Sequence, residues 1–513
     1  MKSFLRIATA GALALGLAAC GAENSPSAGP KYAEGKTFTM VIGADPGNLD
    51  PHFTSLSVTQ LVDRFLYDSL LNVDESGKLV AGLADKWEAT TTKATYTLRK
   101  GVTCGDGTPL TATQVAANIS FVGDPKNASS RIGVFVPPGA TAVGDDTAGT
   151  VTVTSPAPSA FLDRTVGGLH IVCDKGMKDR NQLKQSAVGT GMFTVTEVVA
   201  NDHYTLARRK DYAWGPGDWR TGQPGLPDTV VLKVVANETT AANLLTSDQA
   251  NAVQIVGPDS QRLAAMNLHK RDVVAPLGEL WFNQKAGLPG ADEATRRALV
   301  QALDLTQLGK VVSSGSGKPA TGLTAPGLSP CSENTVGSRL PASDPAAAKA
   351  ALSGKNLKLN FYYPSTIGPG LQAGAELLQK AWQSAGVEVT LKAVTNAEIG
   401  QLIVGGQGSW DATFLPLGVT LPSELTPFFS GPTPPTGVNF SSINNSAYAA
   451  AVQEASAIPG ADGCPKWTAA EQALFDHVDI VPFVFSSVST FGKGVTFELT
   501  QGGLAPSSVR MLG

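Results

Sequence analysis

Cysteine and histidine carry the most selective chemistry in a protein chain, and this one of 513 residues holds five of each. Cys20, Cys104, Cys173, Cys331 and Cys464 stand far apart with no Cys-x-x-Cys pair, which argues against a zinc knuckle or a dithiol redox motif. His52, His170, His203, His269 and His477 are equally scattered. There is no His-Glu-x-x-His for a metallohydrolase and no Gly-x-Ser-x-Gly for a nucleophilic serine. Gly315-Ser316-Gly317-Lys318-Pro319 lacks the spacing of a phosphate-binding loop. No metal and no cofactor are expected, and the chain does not read as an enzyme. A hydrolase assembled in space from distant residues is the rival class, which a cleavage assay on peptide libraries would separate.

Cys20 has a setting of its own. Lys2 and Arg6 precede an apolar run from Ile7 to Ala19, broken by Thr9, Gly11 and Gly16 and too short to span a bilayer. The run ends in Leu17-Ala18-Ala19-Cys20, which resembles the lipobox of bacterial lipoproteins. That resemblance implies cleavage before Cys20 and acylation of its thiol, each buried methylene contributing roughly 0.8 kcal/mol to anchoring. Residues 1–19 are therefore read as a signal peptide. Residues 20–36, rich in Gly, Ser, Pro and Ala, are read as a flexible tether. The body is expected outside the cytoplasm, soluble and held to a membrane by lipid. The other four cysteines, an even number in an oxidising compartment, favour disulfides with three connectivities open.

Composition narrows the partners. Net charge is −4, and loss of Lys2 and Arg6 makes the mature chain two charges more negative. No basic run marks a nucleic-acid surface. The length allows at least two lobes, each with its own core.

The elements that must position any site read as α/β. Phe38–Ile42 is predicted as a strand and Val58–Leu71 as an amphipathic helix. Lys86–Ala89 with Ala94–Arg99, and Phe193–Val199 with His203–Arg209, read as hairpins. Thr111-Ala112-Thr113-Gln114 is a capping box ahead of Val115, Ile119 and Val122 at helical spacing. Asp344-Pro345 starts a helix that stops at Gly354. Leu357–Tyr363, Leu371–Ala385 and Val387–Ala393 make a βαβ unit with parallel strands. Trp467–Val478 is predicted helical and Val481–Phe485 a strand.

Motifs in chain order then resemble the family-5 extracellular solute-binding proteins, which include oligopeptide, dipeptide and nickel receptors. Asn48-Leu49-Asp50-Pro51 is similar to the family's opening segment, and Phe65-Leu66-Tyr67-Asp68-Ser69-Leu70 to its next. Gly77 to Trp87, with Ala81 where proline is usual, and Tyr96 to Ala112, with Cys104 where an aromatic is common, extend the match. So do Gly189-Thr190-Gly191-Met192-Phe193, Arg208 to Trp214 with a departure at Lys210, Trp281-Phe282-Asn283, Arg296 to Leu299, and Asp344 to Leu352. Most of these segments read as turns and packing anchors rather than ligand contacts: Asp106-Gly107-Thr108-Pro109 is a turn, and Trp87 and Trp214 are core.

The resemblance implies a two-lobed α/β fold of the periplasmic-binding-protein type II class, with mixed sheets. Lobe I would span 37–276 with an inserted subdomain at about 63–187, lobe II 277–480, and 481–513 would return to lobe I. It implies a hinge, a cleft that closes on the solute, and partners in a membrane permease and its ATPase, with the receptor a monomer. The expected solute is an oligopeptide, bound by main-chain pairing. A nickel or siderophore chelate is an alternative, as is a sensory or chaperone lipoprotein with no permease of its own. Disulfides Cys104–Cys173 and Cys331–Cys464 are chosen because each then stays within one lobe. Cleft candidates are Trp281, Asn283, Trp410 and Glu424, with Tyr67 and Arg131 as further ones. Aromatics offer stacking, Asn a peptide-bond partner, and Glu a partner for ammonium. Glu424 stands in for an aspartate that relatives carry downstream of a segment like Trp410-Asp411-Ala412.

Overall fold

The computed structural model describes residues 31–513 apart from 55, 218, 220–221, 366–368 and 396–397. Cys20, the signal and most of the expected tether lie outside the described residues. Within them, no helix is long and apolar enough to cross a membrane.

An eleven-stranded mixed sheet runs through the molecule. At one end, Thr37–Ile42 lies parallel to both Thr229–Val234 and Ala252–Ile255, and the hairpin Phe193–Val199/His203–Arg208 continues that edge. At the other end, Lys358–Pro364 lies parallel to Glu388–Val394 and Ala412–Phe414. Two long antiparallel strands, His269–Phe282 and Ile480–Gly492, join the ends. Each reaches one side: Ala252–Ile255 pairs with Ser489–Gly492, and Ala412–Phe414 pairs with Leu280–Phe282. The ladder slips register around Pro276, Gly278 and Glu279. Between the slip and the first side, Val273, Val274 and Ala275 are only half-buried, as are Val488 and Ser487 opposite the first two, while Ser486 opposite Ala275 is buried.

The buried apolar side chains form several clusters. One cluster draws on residues from Phe38 to Ala252 and on the tail Val495–Met511. Two others draw on Leu277 to Val484, and the second of these also takes in Ala160 and Phe161 from the first side. A four-stranded antiparallel sheet, Ala84–Ala89, Lys93–Leu98, Thr150–Thr154 and Thr141–Asp145, stands apart from the long sheet. Disulfide Cys104–Cys173 lies in the first core, and Cys331–Cys464 ties a loop of the second side to the helix Cys464–Asp476.

Three of the recognised segments converge on Asp68. Its carboxylate accepts from Thr190 Oγ1, Tyr212 O–H and Trp214 Nε1–H, each at 3.0 Å. Burial nevertheless pushes its pKa up to about 6. Gly189 and Gly191 are required here, because a Cβ on either would fall within 2.4 Å of the Leu66 backbone.

Several expectations shift. The helix expected over 58–71 is Ser57–Leu66, since Tyr67 turns extended to send its hydroxyl to the Leu49 carbonyl at 2.8 Å. Only half of the capping box forms: Thr111 accepts from the Gln114 N–H, while Gln114 Oε1 is buried without a partner. The end of the expected tether is laced down, with Ala33 N–H on Met511 O and Gly513 N–H on Lys31 O. Asp106 accepts from the Thr108 N–H with Gly107 at φ +84°, so that segment is a turn.

Candidate functional site

The two sides meet along a seam beside the long strands. The Phe161 ring lies 6.2 Å from that of Trp467, and the Gly460 N–H donates to the Ala160 carbonyl at 2.6 Å. A Cβ on Gly77 would stand 3.5 Å from the Gly327 carbonyl oxygen. From the first side, Arg164 on the short helix Leu162–Gly167 donates to the Gly77 carbonyl at 3.1 Å.

The second side meets the seam with loops held by buried carboxyls rather than by a sheet. Glu279, 1 % exposed in the slipped stretch of the long strand, accepts the Leu417 N–H at 2.9 Å. Glu424 accepts the N–H groups of Thr420 and Leu421 at 2.8 and 3.2 Å. Glu471 accepts the Leu323 N–H at 2.8 Å and the Thr335 hydroxyl. Burial raises all three pKa values, Glu279 to about 8 with the negative potential of Glu471 adding to it. Arg164 is shifted down by burial and steadied by Glu424 across the seam. Engaged in this way, the three carboxyls order the loops on the second side of the seam.

Most residues expected in a cleft are core instead. Trp281 is fully buried, stacked on Phe429 at 5.1 Å, with its indole N–H on the Leu415 carbonyl at 2.8 Å. Asn283 donates its side-chain amide to Trp410 O at 3.0 Å and accepts from the Lys285 N–H, so it orders the chain rather than a peptide. Trp410 is buried beside Phe440. Tyr67 and Arg131 are buried together in the first side, with Arg131 Nε donating to Pro51 O at 3.3 Å. Large apolar surfaces gain more from permanent burial than from an exposed wall, and a buried amide or guanidinium must be paired where it sits. Glu424 is the candidate that lies at the seam, and it is largely engaged as the cap of its own helix, Pro422–Phe429. Sequence reasoning passed over Glu279, Glu471 and Arg164. Glu279 had a signal, a lone charge inside the apolar run Leu277–Phe282; Arg164 had none.

This architecture, two α/β halves with distinct main cores joined by crossing strands, is the type II periplasmic-binding-protein fold. The family model for bacterial extracellular solute-binding proteins, family 5 (middle), matches residues 78–430, and the chain belongs to that family. The glutathione-binding protein GsiB of Shigella boydii is 26% identical over 321 residues, covering 61% of this chain and 60% of that protein. The match thus spans about three-fifths of its curated relatives' length. A substrate-binding protein from Microbacterium hydrocarbonoxydans, solved with 4-hydroxybenzoate hydrazide, superposes with TM-score 0.78 at 27% identity, over 93% of this chain and 100% of that one. A dipeptide-binding protein from Pseudoalteromonas sp. SM9913, solved with Met-Leu, gives 0.76 at 19% over the same shares. NikA from Staphylococcus aureus with Ni(L-His)2 gives 0.73 at 16%, again over 93% and 100%.

Proposed function

We propose that this protein is the solute receptor of an ABC importer, capturing a short peptide or peptide-like solute at the seam and handing it to a permease served by a separate ATPase. In this reading it is a monomer without catalytic activity, tethered outside the cytoplasm through lipid on Cys20. One observation carries the reading: two long strands carry the chain between halves with distinct main cores, and their ladder is slipped and thinly covered at the crossing. Such a ribbon bends at small cost, and a ligand touching both halves shifts the balance toward closure by its difference in affinity for the two states. The lobe boundary at 276/277 falls at the slip, which supports dividing the chain there. The relatives named for glutathione and for a dipeptide support a peptide-like solute. Titration calorimetry of the purified protein with glutathione and a panel of unmodified di- and tripeptides tests it. Saturable one-to-one binding of at least one member is expected, and silence across the panel overturns the peptide assignment. Metabolic labelling with a radioactive fatty acid is expected to mark the wild type and not Cys20→Ser; equal labelling of both overturns the anchor.

A further inference from the structure

Arg164 occupies an unusual position for a cation. Its segment is pinned against the opposite half by the Phe161–Trp467 contact and the Ala160–Gly460 hydrogen bond, so the guanidinium is delivered to the seam whatever the charges there. It is half-buried, and among the described residues its side chain makes one hydrogen bond, to the Gly77 carbonyl. Two carboxyls face it, and neither closes on it. The Asp163 carboxylate turns back to the Arg164 backbone N–H at 2.8 Å. Glu424, across the seam, acts on it through space but forms no ion pair with it: its Oε2 accepts the N–H groups of Thr420 and Leu421, and its Oε1 the Thr420 hydroxyl at 3.4 Å. A half-buried guanidinium at the seam with no carboxylate paired to it keeps N–H donors open to an incoming group. The group that matches a planar fork of N–H donors is a carboxylate, held by two parallel charge-assisted bonds.

We propose that Arg164 is the specificity-determining residue of the cleft and receives a carboxylate of the solute, so that the protein takes carboxylate-bearing solutes and discriminates against their amides. The inference rests on the cleft reading above. It is independent of whether the solute is a peptide, since peptides and simple organic acids share the group.

Matched ligand pairs test it. Tripeptides as free acids and as C-terminal amides, glutathione, and simple mono- and dicarboxylates such as benzoate and succinate are titrated against wild type, Arg164→Gln and Arg164→Lys. The wild type is expected to prefer acid over amide by tenfold or more. Arg164→Gln is expected to weaken the acids by tenfold or more while leaving the amides within twofold, and Arg164→Lys to fall between. Unchanged amide binding doubles as proof that the variant is folded. Equal binding of acid and amide to the wild type, or equal weakening of both by Arg164→Gln, overturns this inference while leaving the receptor reading intact. If no compound binds the wild type, both fall together.

Discussion

Glu279 sits where the long-strand ladder slips, 1 % exposed, and holds the loop that begins at Leu415 by one N–H. Burial raises its pKa from 4.5 to about 8, so the folded protein retains this proton over a pH range in which the unfolded chain has lost it. The native state therefore binds more protons between those values. Its stability contribution is greatest below pH 4.5, declines as pH rises toward 8, and is gone above that. Glu279→Gln keeps an oxygen for the Leu417 N–H and removes the titration. Denaturant unfolding from pH 5 to 9 should show the wild type losing stability relative to Glu279→Gln, and a constant difference would contradict the assignment. Trp281, stacked on Phe429, should cost about 3–5 kcal/mol when replaced by alanine, read by the same unfolding curves. At this scale the sequence points to Trp281, Asn283 and Trp410, and the structure buries all three. Trp281, Asn283 and Trp410 do sit together, but nothing in a tryptophan's identity says whether its faces meet a ligand or Phe429 and Phe440. Glu424 is the acid nearest to one the family resemblance implies; the structure places it in the first turn of Pro422–Phe429. Arg164 depends on how residues 160–164 fold onto a distant helix, which no local spacing encodes.

The two long strands carry the architecture, and they were the least legible elements. Val481–Phe485 reads as a strand because it is apolar, yet the strand runs on through Ser486, Ser487, Ser489 and Thr490 to Gly492. Ser486, Ser489 and Thr490 are buried, yet as hydroxyl residues they break the apolar pattern that marks a strand. His269–Phe282 is hidden by Pro276 and Gly278, which signal a break and here mark the register slip. Gly278 is needed at that slip: a Cβ would lie 2.3 Å from Phe483 Cε2. Gly278→Ala should destabilise by about 1–3 kcal/mol through overpacking, measured by thermal unfolding. The βαβ unit from 358 to 394 was clear from sequence, because its helix and strands are each periodic and its connections short.

For the whole molecule, the recognised segments proved to be scaffold: three of them meet at Asp68, far along the chain from one another. That is why they reveal a family so readily and a solute so poorly. The disulfides close stretches 69 and 133 residues apart, and removing either should cost on the order of 2–5 kcal/mol by restoring freedom to the unfolded chain. Cys104→Ala with Cys173→Ala should lower the unfolding midpoint in denaturant, and an unchanged midpoint would show that the link bears no load. Domain closure on a solute is the claim on which the functional reading stands. Spin labels at Val143→Cys in the four-stranded sheet and Glu388→Cys at the far edge of the long sheet report it directly. Saturating the doubly labelled protein with a binding peptide should shift the interlabel distance to a shorter and narrower distribution. A distribution that stays the same, with the peptide demonstrably bound, would contradict the account.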